Sequence, residues 1–389
     1  MRPNVDVAAP QTISMLSTYP PTACGLATFS SALARALEAQ GHRTRIVRVT
    51  EHATEPVAVN RVAGTLVNGS GASVRRAAAM LSDADTAIVQ HEYGIFGGRD
   101  GEEVLDVIRG VTVPVITVLH TVPLEPTPNQ RRILEEISRW SSRVVVLTRC
   151  ARDRLVGRYS VDDDAVETIP HGAIVVDDVD HDTSMGARDD TRPELLSWGL
   201  LGPNKGIEHV IDAVAALHAQ GHSVRYTIAG MTHPKVVQVH GEAYRHGLVE
   251  RARARGIGHL VSFDPTYRGP DDLARYLATS SVIVLPYASA DQVVSGVLVD
   301  SIAAARPVIS TAFPHAVELL SSGAGLLVRH DDSDGLEQAI RAATSDRRLL
   351  DTMADTARGL ADQHRWSRVA ARYADLSSRA RAGRQAIPA

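Results

Sequence analysis

The sequence predicts an α/β protein built from two Rossmann-like, parallel-sheet domains in tandem, facing each other across a cleft. Three observations predict it. Short β-branched runs alternate with stretches of helical periodicity from one end of the chain to the other. One acidic segment without aromatic residues, "AIVVDDVDHDTSMGARDDTRPE" (173–194), interrupts that alternation once. Glycines and polar residues gather directly after the strand-like runs, where open parallel sheets bind their ligands.

In the first half the strand-like runs are "TISMLS" (12–17), "RTRIVRVT" (43–50), "TAIVQHE" (86–92), "VPVITVLHT" (113–121) and "RVVVLT" (143–148). Runs of this kind, separated by helical stretches, are the grammar of βαβ units and of a sheet covered on both faces. A first domain over 1–175 and a linker over 176–193 follow. The grammar restarts with "LLSWGLL" (195–201), "SVRYTIAG" (223–230), "HLVSFDP" (259–265), "SVIVLPY" (281–287), "RPVISTA" (306–312) and "GAGLLVR" (323–329), with helices from about 333 onward. The second domain is set at 194–363.

Composition narrows the function classes. At 389 residues, with 44% apolar and 22% charged residues, the chain has the makeup of an ordinary globular protein of about two to three domains. A net charge of -4, with Arg interleaved among Asp and Glu, provides no basic field for nucleic acid. Two cysteines, Cys24 and Cys150, are too few for a disulfide framework and fit a reducing compartment. The start "MRPNVDVAAPQT" lacks the charged region and long apolar run of a signal peptide, and no apolar run reaches the ~18 residues of a membrane span, so a cytoplasmic location is expected. Membrane association is at most peripheral, through "SSRARAGRQ" (377–385), which reads better as a frayed, solvated tail.

"GPNKG" (202–206) carries Gly202 and Lys205 into a helix whose apolar residues recur at helical spacing. Free N–H groups, the helix dipole and an ammonium together suit a phosphate or pyrophosphate; a plain loop with a surface lysine is the alternative. "CGLATFSSALARAL" (24–37) repeats the arrangement around Gly25. Ser295 and Gly296 open another helix, with Val297 in its first turn and Asp300 one turn inside. There a carboxylate either accepts from the vicinal hydroxyls of a ribose or merely complements the helix start. His91, Glu92 and Tyr93, followed by "GIFGG", line an acceptor side or form a rigid turn. His120, beside Thr121, is a ligand-binding or a loop-capping histidine. His91, Glu92, His120 and His171 lack metal-motif spacing, and no metal is expected. His315 and Glu318, in "FPHAVELL" (313–320), touch a donor's base or sugar, or pack a helix start.

Several motifs, taken in order, resemble retaining glycosyltransferase family 4, whose members have the GT-B fold. They are "YPPTACGLATF", "LHTV", "IPHGA" where the family has "IPNG", "GPNKGIEHVIDAV", and "GVLVDSIAAARPVIST" where it has "LVLLEAMACGKPVIAT"; the terminal "HRWSRVAARYADL" (364–376) matches the family's closing helix. The resemblance implies that 364–389 crosses back to the first domain. It also implies transfer of a hexose from a nucleotide diphosphate sugar, held by the second domain, to a hydroxyl of a carbohydrate or small-molecule acceptor held by the first. By the same resemblance Lys205 binds the pyrophosphate, Asp300 takes the place of the second Glu of Glu-x7-Glu, and Gln292 falls at the first. Leu200 stands where an arginine is usual. The implied catalytic residues are His120, Lys205 and Gln292, with the amides of residues 25–26 and 295–296 as phosphate donors, and no metal or cofactor beyond the sugar nucleotide. Front-face attack, with the leaving phosphate taking the acceptor proton, needs no dedicated base. The region 292–320 resembles mannosyltransferase-like members, which inclines the donor toward GDP-mannose over UDP-glucose. Leu200, Gln292 and Asp300 leave open a GT-B phosphorylase or epimerase acting on a sugar phosphate, or a non-catalytic nucleotide-sugar-binding protein.

Overall fold

The computed structural model describes residues 9–52, 61–175 and 193–385. The chain divides into two compact units, Met1–Gly172 with Trp366–Ala389, and Ala173–Arg365. All of the anticipated linker except Pro193 lies outside the described residues.

The first unit has a seven-stranded parallel sheet in the order β3-β2-β1-β4-β5-β6-β7. Its strands are β1 Thr12–Ser17, β2 Arg43–Thr50, β3 Val62–Val67, β4 Thr86–His91, β5 Val115–Leu119, β6 Arg143–Val146 and β7 Val166–Thr168. The central strands β4 and β5 are buried along their whole length, which is why they read as continuous apolar runs. The sequence pattern does not announce β3 or β7. β3 is an edge strand, largely half-buried and interrupted by Gly64, and β7 has only three residues. The connecting helices are α1 Gly25–Ala39, α2 Gly71–Ser82, α3 Glu103–Gly110, α4 Pro128–Trp140 and α5 Arg149–Arg158. Polar side chains fix several of their starts. Ser70 caps α2, Thr148 caps α5, and Thr127 with Gln130 forms a capping box on α4, each satisfying N–H groups that the first turn leaves free.

The second unit has six parallel strands in the order β10-β9-β8-β11-β12-β13. They are β8 Glu194–Trp198, β9 Arg225–Ala229, β10 Val261–Asp264, β11 Val282–Leu285, β12 Val308–Thr311 and β13 Gly325–Val328. Its helices are α6 Ile207–Ala219, α7 Pro234–His240, α8 Ala243–Ala254, α9 Pro270–Ala278, α10 Gly296–Ala303, α11 Pro314–Leu320, α12 Ser333–Ser345 and α13 Arg347–Ala361. Alternate residues of β11 feed two cores. Val282 and Val284 join Val210, Ile211 and Val214 of α6, whereas Ile283 and Leu285 join Leu298, Val299 and Ile302 of α10.

The last helix, α14 Trp366–Gln385, belongs to the first unit. It is fixed by a buried polar network. The Gln11 side-chain amide donates to Ala374 O (3.2 Å) and to Ser378 Oγ (2.9 Å), and the Ser377 hydroxyl lies 2.7 Å from Gln11 Oε1 and 2.8 Å from Thr86 Oγ1. The tail expected at 377–385 is therefore no frayed segment. Ser377 and Ala380 are buried, Arg379 pairs with Glu167 and Asp375, and Arg381 pairs with Asp85. Those arginines are turned to their own unit. Among the described residues no helix is long and apolar enough to cross a membrane.

The loops above the second sheet depend on glycine. Gly230 has φ +120°, and a Cβ there would lie 2.1 Å from Gly199 O. Gly230→Ala is expected to lower stability by at least the 1–3 kcal/mol (roughly) of a strained backbone position, read as a reduced denaturant midpoint. An unchanged midpoint would show that the two loops can separate freely.

Candidate functional site

In each sheet the strand order reverses once, and an open α/β sheet opens a crevice at that point. In the second unit the reversal lies between β8 and β11. After β8 the chain makes a short turn, Pro203–Lys205, and reaches Gly206 at φ +62°. A Cβ on Gly206 would meet Pro286 O at 1.9 Å, so only glycine lets this loop lie against the chain leaving β11. Ala288 N–H donates to Asn204 O at 3.2 Å across the same approach. Lys205 is thereby placed with its Nζ 4.1 Å from the centre of the Tyr287 ring, and Tyr287 stacks on Phe313 at 5.3 Å. The Tyr287 hydroxyl is buried and has no hydrogen-bond partner among the described residues.

The start of α10 faces the same crevice. Ser295 caps the helix, its Oγ accepting from Leu298 N–H at 3.2 Å. The N–H of Ser295 itself donates to Nδ1 of His315 at 2.9 Å. This corrects the expectation for residues 295–296: the Ser295 amide is already engaged, and the N–H groups without a partner among the described residues belong to Gly296 and Val297. Gly199 sits close by, since a Cβ on it would lie 3.5 Å from Val297 Cγ2.

Asp300 is the fifth residue of this eight-residue helix, beyond the first turn where a carboxylate complements the dipole. Its carboxylate accepts no hydrogen bond from the described residues, and burial pushes its pKa up to about 7. Gln292 braces its own loop, its side-chain amide donating to Val294 O at 2.9 Å. Leu200 is half-buried and adds no charge; next to it, Leu201 N–H donates to Met231 O at 2.9 Å and accepts at its carbonyl from His233 N–H at 2.8 Å. That pairing brings His233 into the site, unforeseen from the sequence. Burial, then Lys235 and Lys205, lower its pKa, a sign of concentrated positive charge.

In the first unit the reversal lies between β1 and β4. Cys24 caps α1 through its sulfur, which accepts from Ala27 N–H at 3.4 Å. The N–H groups of Gly25 and Leu26 have no partner among the described residues, and Gly25 is exposed with open space around it. His120 Nε2 lies 2.7 Å from Gln90 Oε1, so Nε2 carries the proton and Nδ1 is left as the acceptor. Burial, with smaller contributions from His171 and His91, depresses its pKa to about 3, and the ring is neutral at physiological pH. Phe29 packs edge-on against His120 (5.0 Å), His171 (5.0 Å) and Trp366 (5.2 Å). Trp366 belongs to the terminal "HRWSRVAARYADL" motif, but nothing local marks its place beside His171, 195 positions earlier.

The acceptor residues need correction. His91 is fully buried between Tyr93 and Phe96, with neither ring nitrogen partnered among the described residues, because β4 is a central strand covered on both faces. Its side chain does not reach the surface. Glu92 is half-buried and accepts from the Thr121 hydroxyl and from Tyr93 N–H, while the Tyr93 hydroxyl donates to Gln130 O at 3.1 Å. Among the described residues no group of three or more His, Cys, Asp and Glu side chains is arranged to hold a metal ion.

The family description "Glycosyltransferase Family 4" matches residues 23–175, and "Glycosyl transferases group 1" matches residues 180–360. Between them the two matches take in nearly all of the second unit and most of the first, leaving β1 and α14 outside. The chain belongs to glycosyltransferase family 4. Among curated proteins, this glycosyltransferase is similar to the alpha-D-kanosaminyltransferase of Streptomyces kanamyceticus, 23% identical over 270 residues, which are 64% of this chain and 66% of that protein. Its fold is GT-B, two parallel-sheet α/β domains. Anabaena HepE in complex with UDP superposes with a TM-score of 0.75 at 15% identity, covering 95% of this chain and 100% of that one. Sucrose-phosphate synthase from Thermosynechococcus elongatus gives 0.73 at 18%, covering 96% and 100%.

Asp300 gives the glycosyltransferase a measurable signature. Its folded pKa, about 7, lies above the ordinary carboxylate value of about 4. Between those values the folded chain holds a proton that the unfolded chain has released, so this contribution is complete at low pH and is lost as pH rises to about 7. Asp300→Asn should therefore gain stability relative to the parent between pH 5 and pH 8, seen in denaturant midpoints. Parallel pH profiles of the two proteins would contradict the assignment.

Proposed function

We propose that the protein is a retaining hexosyltransferase that uses a nucleoside diphosphate sugar as donor and a hydroxyl of a carbohydrate or small molecule as acceptor. The observation that carries this reading is that Lys205, held over Tyr287, follows β8 and the unpartnered Gly296 and Val297 amides follow β11, the two strands that flank the switch point, with the buried Asp300 on the same helix as those amides. Breaking an anomeric C–O bond leaves negative charge on the diphosphate. Fixed donors aimed at that charge lower the barrier because they need no reorganisation as it develops. Lys205 and the two amides supply them here, and we assign no metal or cofactor to the step.

Asp300 accepts from the ribose hydroxyls, which favours its ionised form, so nucleotide binding near pH 6 releases a proton. The acceptor hydroxyl attacks the anomeric carbon from the face that the phosphate leaves, and its proton passes to the departing phosphate oxygen. His120, neutral and committed through Nε2 to Gln90, offers Nδ1 to a sugar hydroxyl; it contributes alignment rather than charge. Glu92 is the remaining polar group for the acceptor side, and the Gly25–Leu26 amides stay assigned to a phosphate oxygen of the donor. The similarly folded HepE holds UDP in its crystal structure, which favours a uridine donor over the guanosine donor suggested by the mannosyltransferase-like segment. We read the enzyme as cytoplasmic from its two cysteines, both free.

Leu200 and the self-braced Gln292 favour one other reading, a nucleotide-sugar binder that does not catalyse transfer. Calorimetric titration with UDP, GDP and ADP, repeated with Lys205→Ala, tests the donor site. UDP should bind most tightly, and the variant should lose at least about tenfold in affinity, the scale of one charge-assisted contact. Binding of none of the three nucleotides would overturn the donor site. Binding without turnover of UDP-glucose or GDP-mannose in the presence of sugar acceptors would favour the non-catalytic reading.

A further inference from the structure

We infer that His315 is a positioning residue for the donor diphosphate: by accepting from the Ser295 N–H, it fixes the start of α10 so that the Gly296 and Val297 amides point into the crevice. The role rests on the donor site proposed above.

Residue 315 is joined to the 292–295 segment by two hydrogen bonds of opposite sense. His315 Nδ1 accepts from Ser295 N–H at 2.9 Å, and His315 N–H donates to Gln292 O at 3.4 Å. Both Ser295 and the His315 ring are buried, at 3% and 2% exposure, so water cannot replace the first bond. Accepting at Nδ1 requires that nitrogen to be unprotonated, which specifies the tautomer. Ser295 is the residue whose hydroxyl caps α10, so a shift in its backbone is passed directly to the next two amides.

The same short segment serves the lysine. Phe313, two residues earlier, stacks on Tyr287, and the Tyr287 ring in turn carries the Lys205 ammonium. One turn at the end of β12 thus supports both kinds of phosphate donor. A purely apolar packing residue at 315 would support Phe313 equally well but would leave a buried amide without a partner.

Three variants separate positioning from packing. His315→Asn keeps an acceptor oxygen near the position of Nδ1, His315→Leu keeps the bulk without an acceptor, and His315→Gln moves the acceptor outward. Each is titrated with UDP, GDP and ADP, and its melting temperature is recorded. We expect His315→Leu and His315→Gln to weaken the tightest nucleotide by about tenfold or more. His315→Asn should stay within about threefold of the parent. Equal affinity of the parent and a folded His315→Leu or His315→Gln protein would overturn the role, as would an Asn variant no better than His315→Gln. Should His315→Leu fail to fold, the Asn and Gln pair decides. If the parent itself binds none of the nucleotides, the donor reading falls first and this role with it; normal parent binding with unaffected variants removes only the role of His315.

Discussion

Close backbone approach above the second sheet is the constraint on which the rest of the candidate site depends. Gly199 and Gly230 bring the ends of β8 and β9 together, and Gly206 lies against Pro286 at the end of β11. Because no Cβ intervenes, main-chain hydrogen bonds can zip the loops, from Gly199 to Ala229 and from Leu201 to Met231. The zipped loops then dictate where side chains stand. Lys205 falls on Tyr287, and Val297 falls beside Gly199. A crevice lined by main-chain donors is the outcome, with bulk excluded by the absence of side chains rather than by their packing.

The two crevices differ in chemistry. That of the second unit combines an ammonium, free amides and the mutual influence of Lys205, Lys235 and His233, an environment suited to a polyanion. That of the first unit holds a neutral histidine, an amide partner and an aromatic group of Phe29 and Trp366, which suits a neutral, hydroxyl-rich molecule. Burial produces both states, silencing the charge on His120 while raising the pKa of Asp300.

Most of the sheet could be read from the chain because central parallel strands bury both faces and so stand out as apolar runs. β3 and β7 lie at the edges, where one side needs no cover, and their signal falls to that of a loop. Within the site, local features were legible: the glycine turn before α6, the lysine and the serine cap of α10. Features set by distant parts of the chain were not. The engagement of the Ser295 amide depends on a side chain 20 positions away, and the ring beneath Lys205 comes from another strand end. The burial of His91 is hidden for a related reason. Strand residues Gln90 and His91 point to opposite faces, and only the helices covering β4 show that neither face is open. The basic tail looks solvated in the sequence because Glu167 and Asp85, which pair with its arginines, lie more than two hundred residues earlier.

The division of the chain also sets an order of assembly. Everything from Ala173 to Arg365 forms one unit, inserted into the other between Gly172 and Trp366. A ribosome therefore delivers α14 after the entire second unit has emerged. Until then Gln11 and Thr86, buried in the finished protein, lack the Ser377 hydroxyl that satisfies them. A nascent chain thus passes through a stage in which the second unit can be whole while the first still waits for α14.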